Sequence, residues 1–191
     1  MVSLEQKEGS VGEQQKVLQG NISLVLDSYD AIFSDFDPRP YSERMISNDF
    51  LGECKRAVHD KEGLDQLRLL IPSHMRKPNE EIHIKKRLKE YFRKHLFEEE
   101  KEIRSIKREG VRWIIIGSVI LILSTLLYEY KTLAYMGFKF LVDFLFVISQ
   151  PAGWFTFWEG LGKIFIVTRE HSPNYDFFRK MQNTEIYFFN Y

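Results

Sequence analysis

The chain of 191 residues contains a single cysteine, Cys54, and lacks the common sequence patterns of catalytic centres. One cysteine excludes an intrachain disulfide and a multi-cysteine zinc site, and it fits a reducing compartment. The sequence also has no glycine-rich phosphate loop, no HExxH pair of histidines and no serine nucleophile elbow. These absences favour a non-enzymatic protein, for which we expect no catalytic residue and no cofactor.

The first 20 residues contain no apolar run, since Glu, Gln, Gly, Ser and Lys dominate them. A cleaved secretory signal needs an apolar core, so none is expected here. This composition is typical of a flexible tail. We therefore expect the polar part of the chain to be cytoplasmic.

Charge is unevenly distributed, although the formal net charge is zero. Up to Asp65 there are 7 basic and 13 acidic residues, whereas Gln66–Glu109 holds 13 basic and 8 acidic ones. Residues 110–168 carry few charges and many aromatic side chains. The asymmetry indicates an anionic partner for the basic part.

The polar part shows alternating strand and helix patterns. A short β-type run at Ile22–Leu26 precedes an amphipathic helix at 47–60. A second run at Leu67–Ile71 precedes a long helix that Asn79 caps. A right-handed crossover makes two such strands parallel. Glu185–Phe189 is a candidate third strand that returns to this sheet. The fold class expected is an α+β cytoplasmic domain with a small βαβα sheet, joined by a long helix to a two-helix transmembrane hairpin.

The first membrane span is predicted from Trp113–Tyr128, a run of 16 residues without a charge. With its flanks it reaches about 20 residues, which matches a hydrocarbon core of about 30 Å. Trp113 lies at its start, where aromatic rings favour the interface. Lys107, Arg108 and Arg112 indicate that the preceding domain is cytoplasmic.

A second span is predicted over about Leu133–Ser149, and it contains two charges, Lys139 and Asp143, four residues apart. Charged groups inside a bilayer are costly and usually face protein or water. In one interpretation the two charges neutralise each other, with Lys139 reaching towards the headgroups. In the other they line the interior of an oligomer, which would make the protein pore-forming.

The end of the second span is predicted at Gln150–Gly153. Beyond it, Trp154 and Trp158 recur at helical spacing and favour an amphipathic helix in the membrane interface over 151–168. The alternative is that these residues belong to a later second span, over about 141–167.

Two groups of polar residues are candidate sites in the soluble domain. A ligand or anion site is predicted from Arg39, Arg44, His74, Arg76 and Lys77, some of which follow the second strand and precede a helix N-terminus. The alternative is a solvated basic loop. Asp27, Asp35 and Asp37 follow the first strand and are candidate Mg²⁺ ligands, although aspartates are also ordinary turn residues.

The hypothesis is a multi-pass membrane protein with both termini cytoplasmic. Its sensor or interaction domain would be coupled to a self-associating two-span unit, which would form a pore or perturb the membrane. One alternative is a membrane-tethered enzyme or binding module for a phosphorylated or nucleotide ligand, and another is a scaffold for a protein partner. Expected partners are the lipid bilayer, further copies of the chain, and a phosphate-bearing ligand or a protein; nucleic acid is not expected.

The expected organisation divides the chain into six parts. They are a flexible tail (1–20), the α+β domain (21–96), a helical stalk (97–110), the transmembrane hairpin (111–150), the interfacial helix (151–168) and a cytoplasmic tail returning to the domain (169–191).

Overall fold

The computed structural model describes residues 20–59, 61, 63–130 and 138–191. Contacts divide the chain into two compact units, one of residues up to Phe97 together with Asn174–Tyr191, and one of Glu98–Pro173. The predicted tail before Gly20 and the predicted start of the second span at Leu133 lie outside the described residues.

A three-stranded parallel sheet lies in the first unit, in the order β1 (Asn21–Val25), β2 (Gln66–Ile71), β3 (Glu185–Asn190). The central strand β2 pairs with both neighbours, so Leu67 lies opposite Ile22 on one side and Ile186 on the other. The prediction that the end of the chain returns to the sheet as a third strand is confirmed.

One face of the sheet is buried by helices. Leu67, Leu69 and Ile71 of β2 are fully buried. Alternate side chains of a strand point to the same face of the sheet, so these three mark the face that is covered. Their core continues into helix α1 (Asn48–His59), the early part of α2 (Pro78–Tyr130) and the late part of α4 (Thr168–Asn183). The helices contribute apolar residues spaced three and four positions apart. These are Phe50, Cys54, Val58, Ile84, Leu88, Phe92, Phe177, Phe178 and Met181.

Helix α2 begins at Pro78, two residues earlier than Asn79 as the cap predicts. Proline suits the first turn because its missing N–H would have no helical partner there. The carbonyl of Lys77 accepts the N–H groups of Glu80 and Glu81. The helix continues through Gly110 to Tyr130, so the predicted stalk and first span are parts of one helix of 53 residues.

The second long helix, α3, covers Lys139–Gly162 and contains Pro151. The helix therefore continues through Gln150–Gly153, where the end of the second span was predicted, and the limits of the span itself stay a prediction. A π-turn over Lys163–Val167 follows it and leads directly into α4. Apolar helices tolerate an internal proline when neighbouring groups satisfy the freed carbonyl. A later second span, weighed above as the alternative, agrees with these bounds.

Helices α2 and α3 pack antiparallel in the second unit through small residues. A Cβ added to Gly117 would lie 2.6 Å from the backbone N of Phe157 and 2.9 Å from the carbonyl oxygen of Gly153. A Cβ added to Gly160 would lie 2.6 Å from the carbonyl oxygen of Gly110. The two backbones thus approach at Gly110–Gly160 and at Gly117–Gly153, seven residues apart on each helix, as small residues at membrane helix interfaces permit.

The same register continues towards the other end of the pair. Ser124 is fully buried and its Oγ donates a hydrogen bond of 2.5 Å to Oγ of Ser149. One turn further, the rings of Tyr128 and Phe146 have centroids 5.0 Å apart. Gly110, Gly117 and Ser124 therefore form a heptad-spaced strip of small residues along α2.

Replacing Gly117 by Ala should destabilise the hairpin, because the new methyl group meets backbone atoms that cannot move independently. Overpacking of this kind typically costs about 1–3 kcal/mol. The matched control is Gly162→Ala, whose Cβ has no atom within 4 Å. The control should be neutral or stabilising, since Ala favours helix over Gly by about 1 kcal/mol. Thermal unfolding in detergent measures both, and equal effects would contradict the packing.

Candidate functional site

A buried polar network lies where β1 and β2 end. The hydroxyl of Tyr29 donates a hydrogen bond of 2.9 Å to Oε1 of Glu81 and accepts one of 2.9 Å from the backbone N–H of Lys77. Arg76 donates through Nε and Nη2 to the two oxygens of Glu81, at 2.7 and 2.8 Å. This bidentate pair satisfies a carboxylate whose residue is only 6% exposed. The network fixes the loop before α2 onto the sheet.

Two further ion pairs organise the loop between β1 and α1. Arg44 donates to Oδ1 of Asp30 at 2.5 Å and to the carbonyl of Ser34 at 3.1 Å. Asp37 accepts hydrogen bonds from the guanidinium of Arg39 at 2.9 and 2.7 Å and from the backbone N–H of Met45 at 2.7 Å. Hydrogen bonds from Arg39 are the main reason why the pKa of Asp37 lies well below its usual value.

The predicted anion-binding set is engaged in these internal contacts. Arg39, Arg44 and Arg76 are each paired with a carboxylate of the same unit. The backbone N–H of Lys77 is bound to Tyr29. The geometry gives these residues a structural role, and an anion-binding role for the set, His74 included, stays a prediction.

The predicted metal ligands Asp27, Asp35 and Asp37 do not form a three-donor group among the described residues. Asp37 is instead the acceptor that closes the loop onto Met45. Within the same described residues, three metal-ligating side chains come together at Glu99, Glu102 and His171 of the second unit.

A groove of about 610 Å³ lies between the loop preceding α1 and one face of α2, within the first unit. Arg87 holds the two sides together, donating through Nε to the carbonyl of Arg44 at 3.1 Å. The lining residues come from both sides, namely Met45, Ile46 and Asn48 from the loop and α1, and Arg87, Glu90, Tyr91, Arg93, Lys94 and His95 from α2.

The groove combines a positive rim with the start of a helix. Arg87, Arg93 and Lys94 outnumber the single carboxylate of Glu90. Asn48 is the first residue of α1, so the positive end of that helix dipole borders the groove, although the N–H of Asp49 there donates to Oγ of Ser47 at 3.2 Å. This arrangement suits an anionic ligand that also has an apolar part, since Met45 and Ile46 contribute apolar surface.

The basic residues of the groove belong to the basic stretch Gln66–Glu109 that the sequence shows. Positions 87, 91 and 94 share one face because they are three and four residues apart. The opposing wall of the groove comes from residues about 40 positions earlier in the chain. No local signal indicates that contact, so sequence reasoning missed the groove.

Lys139 and Asp143 lie near one end of the helix pair. Lys139 is the first residue of α3 and is exposed, and Asp143 follows one turn later. Phe146 contacts Tyr128, the last residue of the uncharged run. At 1.5 Å per residue, Asp143 and Lys139 lie about 4.5 and 10 Å beyond that contact. The charges therefore flank the end of the first apolar segment and not its middle.

The three tryptophans lie towards the opposite end of the helix pair. Gly117 packs against the backbone of Phe157, and Gly110 against Gly160, so Trp154 and Trp158 lie near the level of Trp113. Their exposed fractions are 37% for Trp113, 52% for Trp154 and 62% for Trp158. Rings at one level and pointing outwards are typical of an aromatic belt.

Comparison with known proteins shows no matching family model, no matching curated protein and no matching solved structure.

Replacing Asp37 by Asn should loosen the loop at neutral pH, because the ionised carboxylate accepts the hydrogen bonds from Arg39 and Met45. A depressed folded pKa stabilises the fold above the ordinary value of 3.8 and loses that contribution as pH falls through the folded pKa. The stability difference between the unaltered protein and the variant should therefore shrink progressively as pH falls below 3.8.

Asp35→Asn is the matched control, since Asp35 is exposed in the same loop. It should leave the exchange of the Met45 amide unchanged, because that amide donates to Asp37 and not to Asp35. Hydrogen exchange of the Met45 amide, followed against pH, reports the effect directly. A pH-independent difference for Asp37→Asn would contradict the ion-pair explanation.

Proposed function

We propose that this protein is a membrane-anchored binding protein, in which the α2–α3 hairpin crosses a bilayer. The first unit, which contains the parallel sheet and is called the α/β unit below, binds an anionic ligand. The exposure of the hairpin carries the proposal. Both helices are long and apolar enough to cross a membrane, yet only 17% and 6% of their most apolar 18-residue windows are buried. Helices of a soluble core would bury such surface, and an aqueous solvent would not tolerate a continuous apolar patch of this size.

The ends of the hairpin support a specific orientation. Trp113, Trp154 and Trp158 would lie at one membrane boundary, and Tyr128 at the other. Lys107, Arg108 and Arg169 follow on the tryptophan side, which the positive-inside rule makes cytoplasmic. Because α2 and α3 are antiparallel, both segments that connect to the α/β unit leave on that side.

The register also changes how the second span is understood. The side chain of Leu121, near the middle of the first span, packs directly against Gly153. A Cβ added to Gly153 would lie 2.8 Å from Cγ of Leu121. Pro151 and Gly153 would thus lie deep in the membrane. The part of α3 that crosses the membrane would lie opposite Trp113–Tyr128. It would therefore continue beyond Ser149.

Replacing Ile122 by Arg should impair membrane integration, because Ile122 is 60% exposed near the middle of the first span. An arginine at the centre of a span costs about 2.5–3.5 kcal/mol in insertion. The measurement is the fraction of full-length protein that resists extraction from membranes by alkaline carbonate.

Ile82→Arg provides the matched control on the same helix, since Ile82 is 66% exposed in the α/β unit. It should leave integration unchanged. A soluble protein would tolerate both changes alike, so equal behaviour of the two variants, or full extraction of the unaltered chain, would refute the membrane hairpin.

The groove is the candidate binding site for a phosphate-bearing or nucleotide ligand. Arg93 and Lys94 offer positive charge, Arg87 adds charge while its Nε and Nη2 bind the carbonyls of Arg44 and Glu43, and the apolar wall offers a surface for a ring or chain. A phosphate group is recognised by such donors, especially arginine. The acidic first half and basic second half of the polar region agree with an anionic partner for α2.

Replacing Arg93 by Glu should weaken ligand binding by roughly 10- to 100-fold, because a hydrogen bond to a charged group contributes about 1.5–3 kcal/mol. The probes are pyrophosphate and a panel of mononucleotides and dinucleotides, tested by thermal shift of the detergent-solubilised chain. Lys86→Glu changes the charge equally at an exposed position of α2 outside the groove, and it should retain binding. No shift with any probe, or equal loss in both variants, would count against the groove.

Self-association with Lys139 and Asp143 facing another subunit, and with it pore formation, is less well supported. Both charges lie beyond the Phe146–Tyr128 contact, where Lys139 can reach the headgroups. The helix register therefore favours the interpretation in which these charges neutralise each other or contact the membrane surface. The enzyme and scaffold alternatives remain predictions.

A further inference from the structure

Three metal-ligating side chains converge within the second unit, outside the apolar spans. Glu99 and Glu102 are three residues apart on one face of α2, and His171 lies in the first turn of α4. One ligand atom from each lies within 4.8 Å of the others. Nδ1 of His171 is 3.6 Å from Oε2 of Glu99, and its Nε2 is 4.0 Å from Oε1 of Glu102.

These separations are too long for hydrogen bonds, which bring N and O to about 2.7–3.2 Å. Oε2 of Glu99 is inaccessible to solvent and has no hydrogen-bond partner. Leaving a buried carboxylate oxygen unsatisfied is costly, so it calls for a positive partner. The imidazole faces this oxygen without binding it directly.

The spacing fits a metal ion between the side chains. Bonds of about 2.0–2.2 Å in a tetrahedral site place neighbouring ligand atoms about 3.3–3.6 Å apart. The 3.6 Å between Glu99 and His171 lies at the upper end of that range. Glu102 faces the other ring nitrogen, Nε2, at 4.0 Å, and one ion binds only one nitrogen of an imidazole. The side chain of Glu102, which is 58% exposed, therefore has to turn towards Nδ1 to complete the site. A fourth position open to water is usual when three protein ligands bind zinc.

We propose that Glu99, Glu102 and His171 hold one divalent transition-metal ion of the zinc type. One imidazole with two carboxylates suits zinc, manganese or ferrous iron, whereas an all-oxygen set would suit magnesium or calcium. The ion joins α2 to α4 close to the membrane boundary, so it clamps the two segments that leave the hairpin.

The backbone around His171 agrees with a constrained site. The π-turn Lys163–Val167 ends just before it, where the N–H of Thr168 donates to the carbonyl of Lys163, five residues back. The hydroxyl of Thr168 donates to the same carbonyl at 3.2 Å. A π-turn rotates the following helix relative to a regular one, and such turns are frequent at functional sites. Here it precedes the turn that carries the imidazole.

The test uses the tag-free full-length chain in detergent, stripped with a chelator and titrated with Zn²⁺ alone. Calorimetry should give one ion per chain. His171→Ala, Glu99→Gln and Glu102→Gln should each weaken binding at least about 100-fold, since losing even an outer partner of a ligand costs about 10–100-fold. Co²⁺ in place of Zn²⁺ should give the visible absorption of a four-coordinate site, and His171→Ala should abolish it.

Matched controls separate the cluster from other carboxylates and histidines. Glu100→Gln and His83→Ala lie on the same helix outside the cluster and should bind Zn²⁺ as the unaltered chain does. If His171→Ala fails to fold, zinc binding by Glu102→Gln tests the site instead, because Glu102 is exposed. If the unaltered chain binds neither Zn²⁺ nor Co²⁺, the proposal is wrong. The cluster is then an imidazole packed between two carboxylates without a metal. Binding that survives all three variants overturns it as well.

Discussion

The close approach of two helix backbones at Gly110–Gly160 and Gly117–Gly153 is the constraint on which the second unit depends. Side chains larger than hydrogen at these positions would force the helices apart and remove the Ser124–Ser149 hydrogen bond. The approach fixes one register, and the register sets the level of every other residue along the pair. In a bilayer, where no aqueous hydrophobic effect acts between helices, packing of this kind would supply much of the association of α2 with α3.

In the first unit the corresponding constraint is the central strand β2. It hydrogen-bonds to β1 and to β3, a strand that begins almost 120 residues later in the chain. Because β2 needs both neighbours, the α/β unit is complete only when the chain returns from the second unit. The arginines near the strand ends then serve the fold, since Arg76 neutralises the buried Glu81.

Local patterns predicted most of the elements correctly. Short β-type runs identified the strands, the spacing of apolar residues identified α1, and the uncharged run Trp113–Tyr128 identified the first long apolar helix. The errors have a common cause, because helix ends depend on what packs beside them. Pro151 and Gly153 have the composition of a helix end, yet they lie within α3 where Gly153 receives the side chain of Leu121.

The sequence alone determined the class of the protein: two elongated apolar helices and a small parallel α/β sheet follow from hydropathy, periodicity and residue preferences, which are local properties of the chain. Only the tertiary structure decided which polar residues meet. It paired the predicted anion-binding arginines with carboxylates, opened the groove beside Arg93, and brought His171 to Glu99 across more than 70 positions. Such contacts depend on the register between packed helices and on where the chain returns to the first unit. Neither can be recognised from neighbouring residues in a single sequence.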